Sequence, residues 1–322
     1  MSPRRFLWLA GGALALALMA LAGRAPLPAA ASIVRHPAPS GPLSGRLDWA
    51  LGEAAKAGAG KGFWVGFGIR REMGEHSQMG VNVAFTSTQP SLEELIYGRR
   101  PAAEKRISTD GAAVVRAERA PSAAAGHVAE RNVARELAVL LRFGPPGAKR
   151  PRSISVCTLS YGISFDELPV YWLGPASDDD SLGLLAGFYG PDAPLELREA
   201  VVEVVALHRK ADVVVPFLER VLNGREPDKL RADAAELLGD QPDARALDIL
   251  KRTARTDASL EVRKGAVSGL AEMELPAAFE ALVDLALHGR ETKIRVEAIE
   301  ALGNFHTPAA SKALVDIIKG AR

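Results

Sequence analysis

The chain closes with two near-copies of one segment, and this repetition limits the possible fold more than any other feature. Residues 262–270 read VRKGAVSGL, and residues 294–302 read IRVEAIEAL, 32 positions later. The segments that follow them, 276–284 and 308–316, are offset by the same 32 positions. Repetition with a period of this length indicates a fold that stacks one small unit on the next.

An arginine that follows an aliphatic residue sets the register of the repetition. It occurs at Arg198, Arg231, Arg263 and Arg295, at spacings of 33, 32 and 32 residues. Positions 3, 4 and 7 after each arginine are apolar, position 8 is alanine or glycine, and position 19 is apolar again. Such spacing forms one apolar stripe on a helix and then marks a second helix. The pattern predicts four helix pairs, with small residues where neighbouring helices approach closely.

The same register extends backwards to Asp166. Counted from there, positions 4, 7, 8 and 19 fall on Val170, Leu173, Gly174 and Leu185. Residues 170–174 are therefore expected to end the first helix of a fifth, degenerate repeat. The segment departs from the pattern at two positions, because Asp166 replaces the arginine and Pro169 replaces a small or branched residue. Terminal repeats are often atypical because they cap the stack.

The repeated pattern resembles HEAT repeats in their short bacterial form, which is also known from phycobilin lyases. The residues that carry the resemblance are Leu230-Arg231, Val262-Arg263, Ile294-Arg295, Leu238-Gly239 and Leu302-Gly303. The resemblance covers residues 166–322. It implies an α-solenoid, a right-handed stack of four to five antiparallel helix pairs that bury their stripes against one another. It also implies a curved surface that binds other proteins.

The repeats supply all of the candidate site residues, each for contact with a partner protein. They are the four register arginines and the outer face of the last helix: Arg198, Arg231, Arg263, Arg295, Leu314, Ile317 and Ile318. The favoured interpretation of the arginines alone is structural. Each one would bond a neighbouring carbonyl group or an aspartate of the adjacent turn, such as Asp228 or Asp257, so that the set forms a ladder.

The first 22 residues are predicted to be a signal peptide. Arg4 and Arg5 precede an apolar run from Phe6 to Leu21, and small residues offer cleavage sites near residue 22 and as late as residue 31. The run is shorter than the ~20 residues that a spanning helix needs. We therefore expect export to the bacterial periplasm or cell envelope. The alternative is an uncleaved anchor in the inner membrane, formed by residues 6–22.

A small α+β module is predicted over residues 46–165, after a flexible spacer rich in Ala, Pro and Gly over residues 23–45. The expected elements are a helix over 47–57, a hairpin of strands 63–69 and 81–85, a short helix capped by Ser91 and ended by Gly98, a helix over 126–143, and a strand over 154–158. The pattern of this module matches no family that we recognise.

Charge divides unevenly along the chain although the net charge is only +1. Residues 1–165 hold 21 Lys and Arg against 11 Asp and Glu, whereas residues 166–322 hold 19 against 28. The opposite signs predict either an intramolecular contact between the basic module and the acidic repeats, or faces of opposite sign. The basic residues are scattered and not interleaved with aromatic ones, so we expect no binding of nucleic acid.

The sequence contains no motif for catalysis, for a cofactor or for a metal. The six histidines are scattered, none lies in an HExxH motif, and no nucleotide-binding loop or nucleophile elbow occurs. Cys157 is the single cysteine and lies in a strand-like run without a group that would stabilise a thiolate. We therefore expect Cys157 to be buried and inert, and we assign no catalytic, cofactor or metal residues.

Three functions are compatible with these observations. The leading hypothesis is an exported, non-catalytic scaffold that binds a protein partner through its repeats. The alternative is a lyase-like enzyme that acts on a chromophore or another protein-bound group, which rests on family analogy alone. The third is a structural subunit tethered to the membrane. A deep pocket with convergent polar groups between the two halves of the chain would favour the enzyme.

Overall fold

The protein was analysed as a computed structural model, which describes residues 33–38, 40–74, 79–84, 89–98, 114–115 and 132–320. Residues 31–322 form one compact unit. The predicted signal peptide and the first part of the predicted spacer lie outside the described residues.

The first half of the described chain forms a mixed β-sheet. The strands are β1 (Ile33–Arg35), β2 (Phe63–Gly74), β3 (Gly80–Val81), β4 (Val83–Ala84), β5 (Val114–Val115), β6 (Asn132–Phe143), β7 (Ser153–Thr158) and β8 (Val170–Pro175). Six of them form one sheet in the order β1-β8-β2-β6-β7-β3. The strands β1, β8 and β2 run parallel, whereas β2, β6, β7 and β3 are antiparallel neighbours. The strands β4 and β5 pair separately.

Helices accompany the sheet and then continue alone to the end of the described chain. The helices are α1 (Leu43–Lys56), α2 (Leu92–Tyr97), α3 (Asp178–Phe188), α4 (Leu195–Ala206), α5 (Ala211–Leu222), α6 (Asp228–Leu238), α7 (Ala244–Thr256), α8 (Leu260–Glu272), α9 (Pro276–His288), α10 (Thr292–Gly303) and α11 (Pro308–Gly320). The four register arginines lie in α4, α6, α8 and α10, and each of these helices is followed by the second helix of its pair. The predicted stack of four helix pairs, preceded by a strand-containing module, is confirmed.

The fifth repeat differs from its prediction. Residues 170–174 lie in strand β8, so the prediction that they end a helix is wrong. All five residues are buried, which a strand between two neighbours can achieve as well as a core helix. Leu185, by contrast, lies buried in α3 as the second helix of that repeat would require. The helical repeats therefore begin at Asp178, and α4 packs against β7 of the sheet.

Two predictions for the module are also wrong. Residues 132–143 form strand β6 instead of the end of a helix, and residues 126–131 lie outside the described residues. Strand β2 does not form a hairpin with residues 81–85, since its neighbours are β6 and β8. Both partners are far away in sequence, and a local pattern cannot reveal such pairings.

Other predicted elements of the module are confirmed. The helix expected over 47–57 is α1, and the strand expected over 154–158 is β7. The hydroxyl of Ser91 accepts a hydrogen bond from the backbone N–H of Glu94 and so caps α2, which ends at Gly98 with a φ of 65°. Residues 33–35 and 43–45 lie in β1 and α1, so these parts of the predicted spacer are regular structure.

The two faces of the sheet are buried in different ways. Phe63, Val65 and Phe67 point to the face that shares one continuous core with α1 and the helical stack, as the alternation of β2 predicts. Trp64 points to the opposite face, which packs against α2 and the loop after β7. On the first face, buried Arg46 of α1 donates hydrogen bonds to the carbonyl oxygens of Leu173 (2.6 Å) and Pro175 (2.8 Å) at the end of β8.

The sheet and the stack are in direct contact. Arg71 of β2 donates to the carbonyl oxygen of Leu207, after α4, at 2.5 Å, and Asn82 donates to the carboxylate of Glu203 at 3.3 Å. Apolar packing in the shared core and these hydrogen bonds therefore hold the sheet to the stack.

Candidate protein-binding surface

Three of the four register arginines form a ladder that links successive repeats. Arg198 pairs with Glu226, which precedes α6, and Arg263 pairs with Glu291, which precedes α10, at 2.8 Å. Arg231 makes the corresponding pair with Asp257, at 2.5 Å. Each carboxylate belongs to the loop that leads into the next repeat. The arginines thus connect one repeat to the next, as the structural interpretation predicts.

The contacts of Arg231 show how one of these arginine–carboxylate links is held in place. Its Nη2 atom meets Asp257, its Nη1 atom meets Asp228 at 3.2 Å, and its Nε atom donates to the carbonyl oxygen of Leu222 at 2.8 Å. Only 18% of the Arg231 side chain and 12% of the Asp257 side chain are exposed. A guanidinium group with three acceptors and little exposure is already satisfied within its own fold.

The fourth arginine, Arg295, is bound differently. Its guanidinium group donates to the carbonyl oxygen of Gly289 at 3.1 Å and to the hydroxyl of Thr292 at 3.2 Å. Both acceptors are neutral; Gly289 follows α9, and Thr292 begins α10. Among the described residues, no carboxylate forms an ion pair with Arg295. The series of arginine–carboxylate pairs therefore includes Arg198, Arg231 and Arg263 but not Arg295.

The three apolar candidates on α11 divide by exposure. Ile317 is buried in the common core with 7% exposure, and Leu314 is half-buried against the same core. Ile318 is 65% exposed, the largest value among the exposed large hydrophobic residues of the described chain. The predicted contact of all seven candidates with a partner remains a prediction, and Ile318 is the one whose side chain is most accessible.

Further exposed apolar side chains lie on the second helices of the pairs. Val213 of α5 is 38% exposed, Leu287 of α9 is 42% exposed, and Val315 of α11 is 45% exposed. Sequence patterns did not indicate these residues, because one apolar residue beyond the stripe is common on helices. Only the structure shows that they are uncovered.

Ion pairs also join the second helices to one another. Arg245 and Arg252 of α7 both reach Glu219 of α5, and Arg255 of α7 reaches Asp284 of α9 at 2.5 Å. The guanidinium group of Arg255 lowers the pKa of the Asp284 carboxyl group, so that this group stays ionised. The second helices therefore carry both exposed apolar side chains and charged groups, the two components of protein-binding surfaces.

One serine–histidine pair has the residue types of a catalytic dyad, but both side chains are buried away from solvent. Nε2 of His208 lies 2.9 Å from the Ser181 hydroxyl, and Nδ1 lies 3.1 Å from the carbonyl oxygen of Val204. The second contact requires a proton on Nδ1, so Nε2 accepts from the serine. Ser181 is fully buried and His208 is 3% exposed. Burial lowers the pKa of His208, and the pair fixes α3 against the end of α4.

Two clefts are lined by polar groups. A cleft of about 440 Å³ lies on the sheet side, between Glu93 and Tyr97 on one wall and Glu136 on the other, where the Tyr97 hydroxyl donates to Glu136 at 2.8 Å. A second cleft of about 560 Å³ separates Lys149 and Arg150 from the start of α3. There Asp179 pairs with Lys210, and Asp180 accepts from Ser177, so both carboxylates are engaged.

Metal and membrane sites can be assessed for the same part of the chain. Among the described residues, no group of three or more His, Cys, Asp or Glu side chains is arranged to hold a metal ion. None of the described helices combines the length and the apolar composition that crossing a membrane requires. Cys157 is fully buried as predicted, and burial raises the pKa of its thiol.

Comparison with known proteins supports the repeat assignment. HEAT repeats match residues 214–303 and 253–321. A solved structure of the complex of CpcE and CpcF of phycocyanin lyase from Nostoc sp. PCC7120 is similar at 24% identity, over 43% of this chain and 86% of that chain, with a TM-score of 0.33. At that score the likeness says nothing about function. No curated protein matches significantly.

Proposed function

We propose that this chain, whose helical part is a stack of HEAT repeats, is a non-catalytic protein that binds a protein partner through the second helices of its pairs. The observation that carries the proposal is the exposure of large apolar side chains there. Val213, Leu287, Val315 and Ile318 are each at least 38% exposed and lie on α5, α9 and α11. An exposed apolar group gains free energy only when another surface covers it.

The charge of the repeats indicates what kind of partner fits. Residues 166–322 hold 28 Asp and Glu against 19 Lys and Arg. The partner is therefore a protein with basic groups around an apolar patch, and salt should weaken its binding. Nucleic acid is disfavoured as a partner by the same negative sign.

Capture from the cell envelope tests this proposal with matched variants. The full chain is immobilised, and retained proteins are identified by mass spectrometry at low salt and at about 0.5 M NaCl, where charges are screened within about 4 Å. The double variant Leu287→Asp/Val315→Asp should lose the partner. The control Val34→Asp changes a similarly exposed residue, at 39%, outside the repeats. Retention of the same protein by both variants would contradict the proposal, as would retention of none by the native chain.

We also propose that the protein works in the periplasm or cell envelope. The support is the sequence of residues 1–22, with Arg4 and Arg5 before an apolar run. The N-terminus of the mature protein decides this question. A start near residue 23 or 32 would establish cleavage and export, whereas a protein that keeps residues 6–22 would favour the tethered form.

A further inference from the structure

The turn between β6 and β7 concentrates positive charge. Residues 137–165 contain four Lys and Arg and no Asp or Glu. Three of these four residues, Lys149, Arg150 and Arg152, lie in the turn, and all three are exposed. Within the described part of the chain, none of the three side chains has an acidic partner. Their charges are therefore available to a ligand from outside the molecule.

The turn holds these cations in a preformed arrangement. Two prolines restrict its backbone, and Gly147 takes a φ of 102°. The backbone N–H of Ala148 donates to the carbonyl oxygen of Pro145 at 3.4 Å. The guanidinium group of Arg152 lies against Gly144, where a β-carbon would come within 2.9 Å of its Nε atom. A preformed turn loses little conformational entropy when it binds.

The strand register places further groups at the same end of the sheet. Trp64 pairs with Arg142 on one side and with Val170 on the other. Val170 in turn pairs with Ile33. The starts of β1, β2 and β8 therefore lie in one row with the end of β6, next to the turn. Lys61 is exposed two residues before β2 and belongs to this end as well.

This end, which we call the basic end of the sheet, is rich in cations. They are Lys61, Arg142, Lys149, Arg150 and Arg152. Two carboxylates, Asp166 and Glu167, follow in the loop before β8, and Asp166 is paired with Arg142 at 3.3 Å. Across the cleft from Lys149 and Arg150, the carboxylates of Asp179 and Asp180 are engaged by other groups. The basic end thus keeps an excess of positive charge.

The chain enters the sheet at this basic end. Strand β1 begins at Ile33 and lies three strand spacings, or about 14 Å, from β6. Residues 22–32 connect β1 to the apolar run of residues 6–21. Even when fully extended, these residues span at most about 37 Å. A chain that keeps the apolar run therefore holds the basic end of the sheet close to the bilayer.

We propose that the basic end of the sheet binds the anionic headgroups of a phospholipid bilayer. Each Lys or Arg near an anionic bilayer surface strengthens binding about fivefold. Residues 144–152 contain no aromatic or large aliphatic side chain, so the contact is electrostatic and is weakened by salt. The inference rests on the proposed location in the cell envelope and does not involve the second helices of the repeats.

Co-sedimentation with vesicles tests the proposal. Residues 31–322 are used, because they form one compact unit and lack the apolar run that would anchor the chain by itself. In about 0.1 M NaCl, binding to phosphatidylcholine vesicles with about 30% phosphatidylglycerol should exceed binding to phosphatidylcholine alone at least tenfold. Lys149→Gln/Arg150→Gln should weaken binding to the anionic vesicles about 25-fold, because two fivefold contributions are lost.

Arg290→Gln/Lys293→Gln is the matched control, because it removes the same two charges from exposed positions in the last repeat. It should change the partition coefficient less than about twofold, since salt screens charges more than about 10 Å from the bilayer. Equal binding to neutral and anionic vesicles, no binding to either, or equal losses in both double variants would overturn the proposal.

An acidic protein is the other class of partner that a basic surface fits. Tighter binding to poly-glutamate than to the anionic vesicles, at equal concentration of charge, would overturn the proposal and assign the basic end to such a protein. The mature N-terminus tests the cell-envelope location, and capture with Leu287→Asp/Val315→Asp tests the second helices. The three proposals therefore fail independently of one another.

Discussion

The two ends of the helical stack differ although the same repeat builds both of them. At the first end α4 packs against the sheet, and its residues Val201, Val202 and Val205 are at most 1% exposed. At the last described end, Val296 and Ile318 keep 45% and 65% of their surface exposed. The sheet therefore serves as a cap, and it confines the accessible apolar edge to one end of the stack.

This difference shows that a repeat position has no fixed role. Arg231 is a half-buried link between two repeats, whereas the two acceptors of Arg295, in the same position, are the neutral groups of Gly289 and Thr292. Gly239 is required for the approach of a helix, whereas Gly303 has open space before it. In each pair the neighbouring repeat, and not the local sequence, decides which role the residue takes.

The largest difference should appear when the two glycines are replaced. Gly239→Ala should lower the free energy of unfolding by about 2 kcal/mol or more, because its methyl group would collide with the backbone of Gly269. Gly303→Ala should raise it, by at most about 1 kcal/mol, since helix propensity alone is involved there. Urea unfolding followed by circular dichroism measures both values, and equal effects would show that the interior crossing is not tight.

Replacing the arginines should give a smaller contrast. Arg231→Met should cost about 2 kcal/mol, because it leaves the largely buried Asp257 carboxylate without its cation. Arg295→Met should cost less than about 1 kcal/mol, since both of its acceptors are neutral and solvent reaches the site. A double-mutant cycle with Asp257→Asn isolates the pair, and a coupling energy near zero would show that the ladder contributes no stability.

Acid should weaken the capped end of the stack. Burial lowers the pKa of His208, so the folded protein binds its proton less readily than the unfolded chain. The unfolded state then takes up more protons below about pH 6.5, and stability falls as the pH falls. We expect a loss of about 1 kcal/mol between pH 7.5 and pH 5.5 from this group. The variant His208→Gln should lose this part of the pH dependence, which urea unfolding at both pH values will reveal.

The helical stack could be predicted from sequence because its contacts are repeated and local. The register of Arg198, Arg231, Arg263 and Arg295 placed four first helices correctly. The register failed at residues 170–174, where an apolar run fits a buried strand as well as a helix. For the same reason β6 was mistaken for a helix, since residues 137–141 are all buried and show no alternation.

The candidate surface was predictable only in part. Asp228 and Asp257 were named as examples of acceptors for the register arginines, and both bind Arg231. The carboxylates Glu226 and Glu291, 28 residues beyond their arginines, were not identified. Exposure on the second helices depends on how far each repeat covers the next one. The small residue at position 8 indicated the close approach at Gly239, but the extent to which one repeat covers the next left no pattern in the chain.

The position of β8 between β1 and β2 has a consequence for the order in which the molecule folds. Val170 pairs with Ile33 on one side and with Trp64 on the other, so the sheet is incomplete until the chain has reached residue 175. Pairings over such sequence distances form slowly, whereas each helix pair needs only its neighbour. During synthesis the parallel edge of the sheet must therefore wait for its central strand. The repeats follow β8 directly in the chain, so the sheet that covers their first end is completed just before they begin to form.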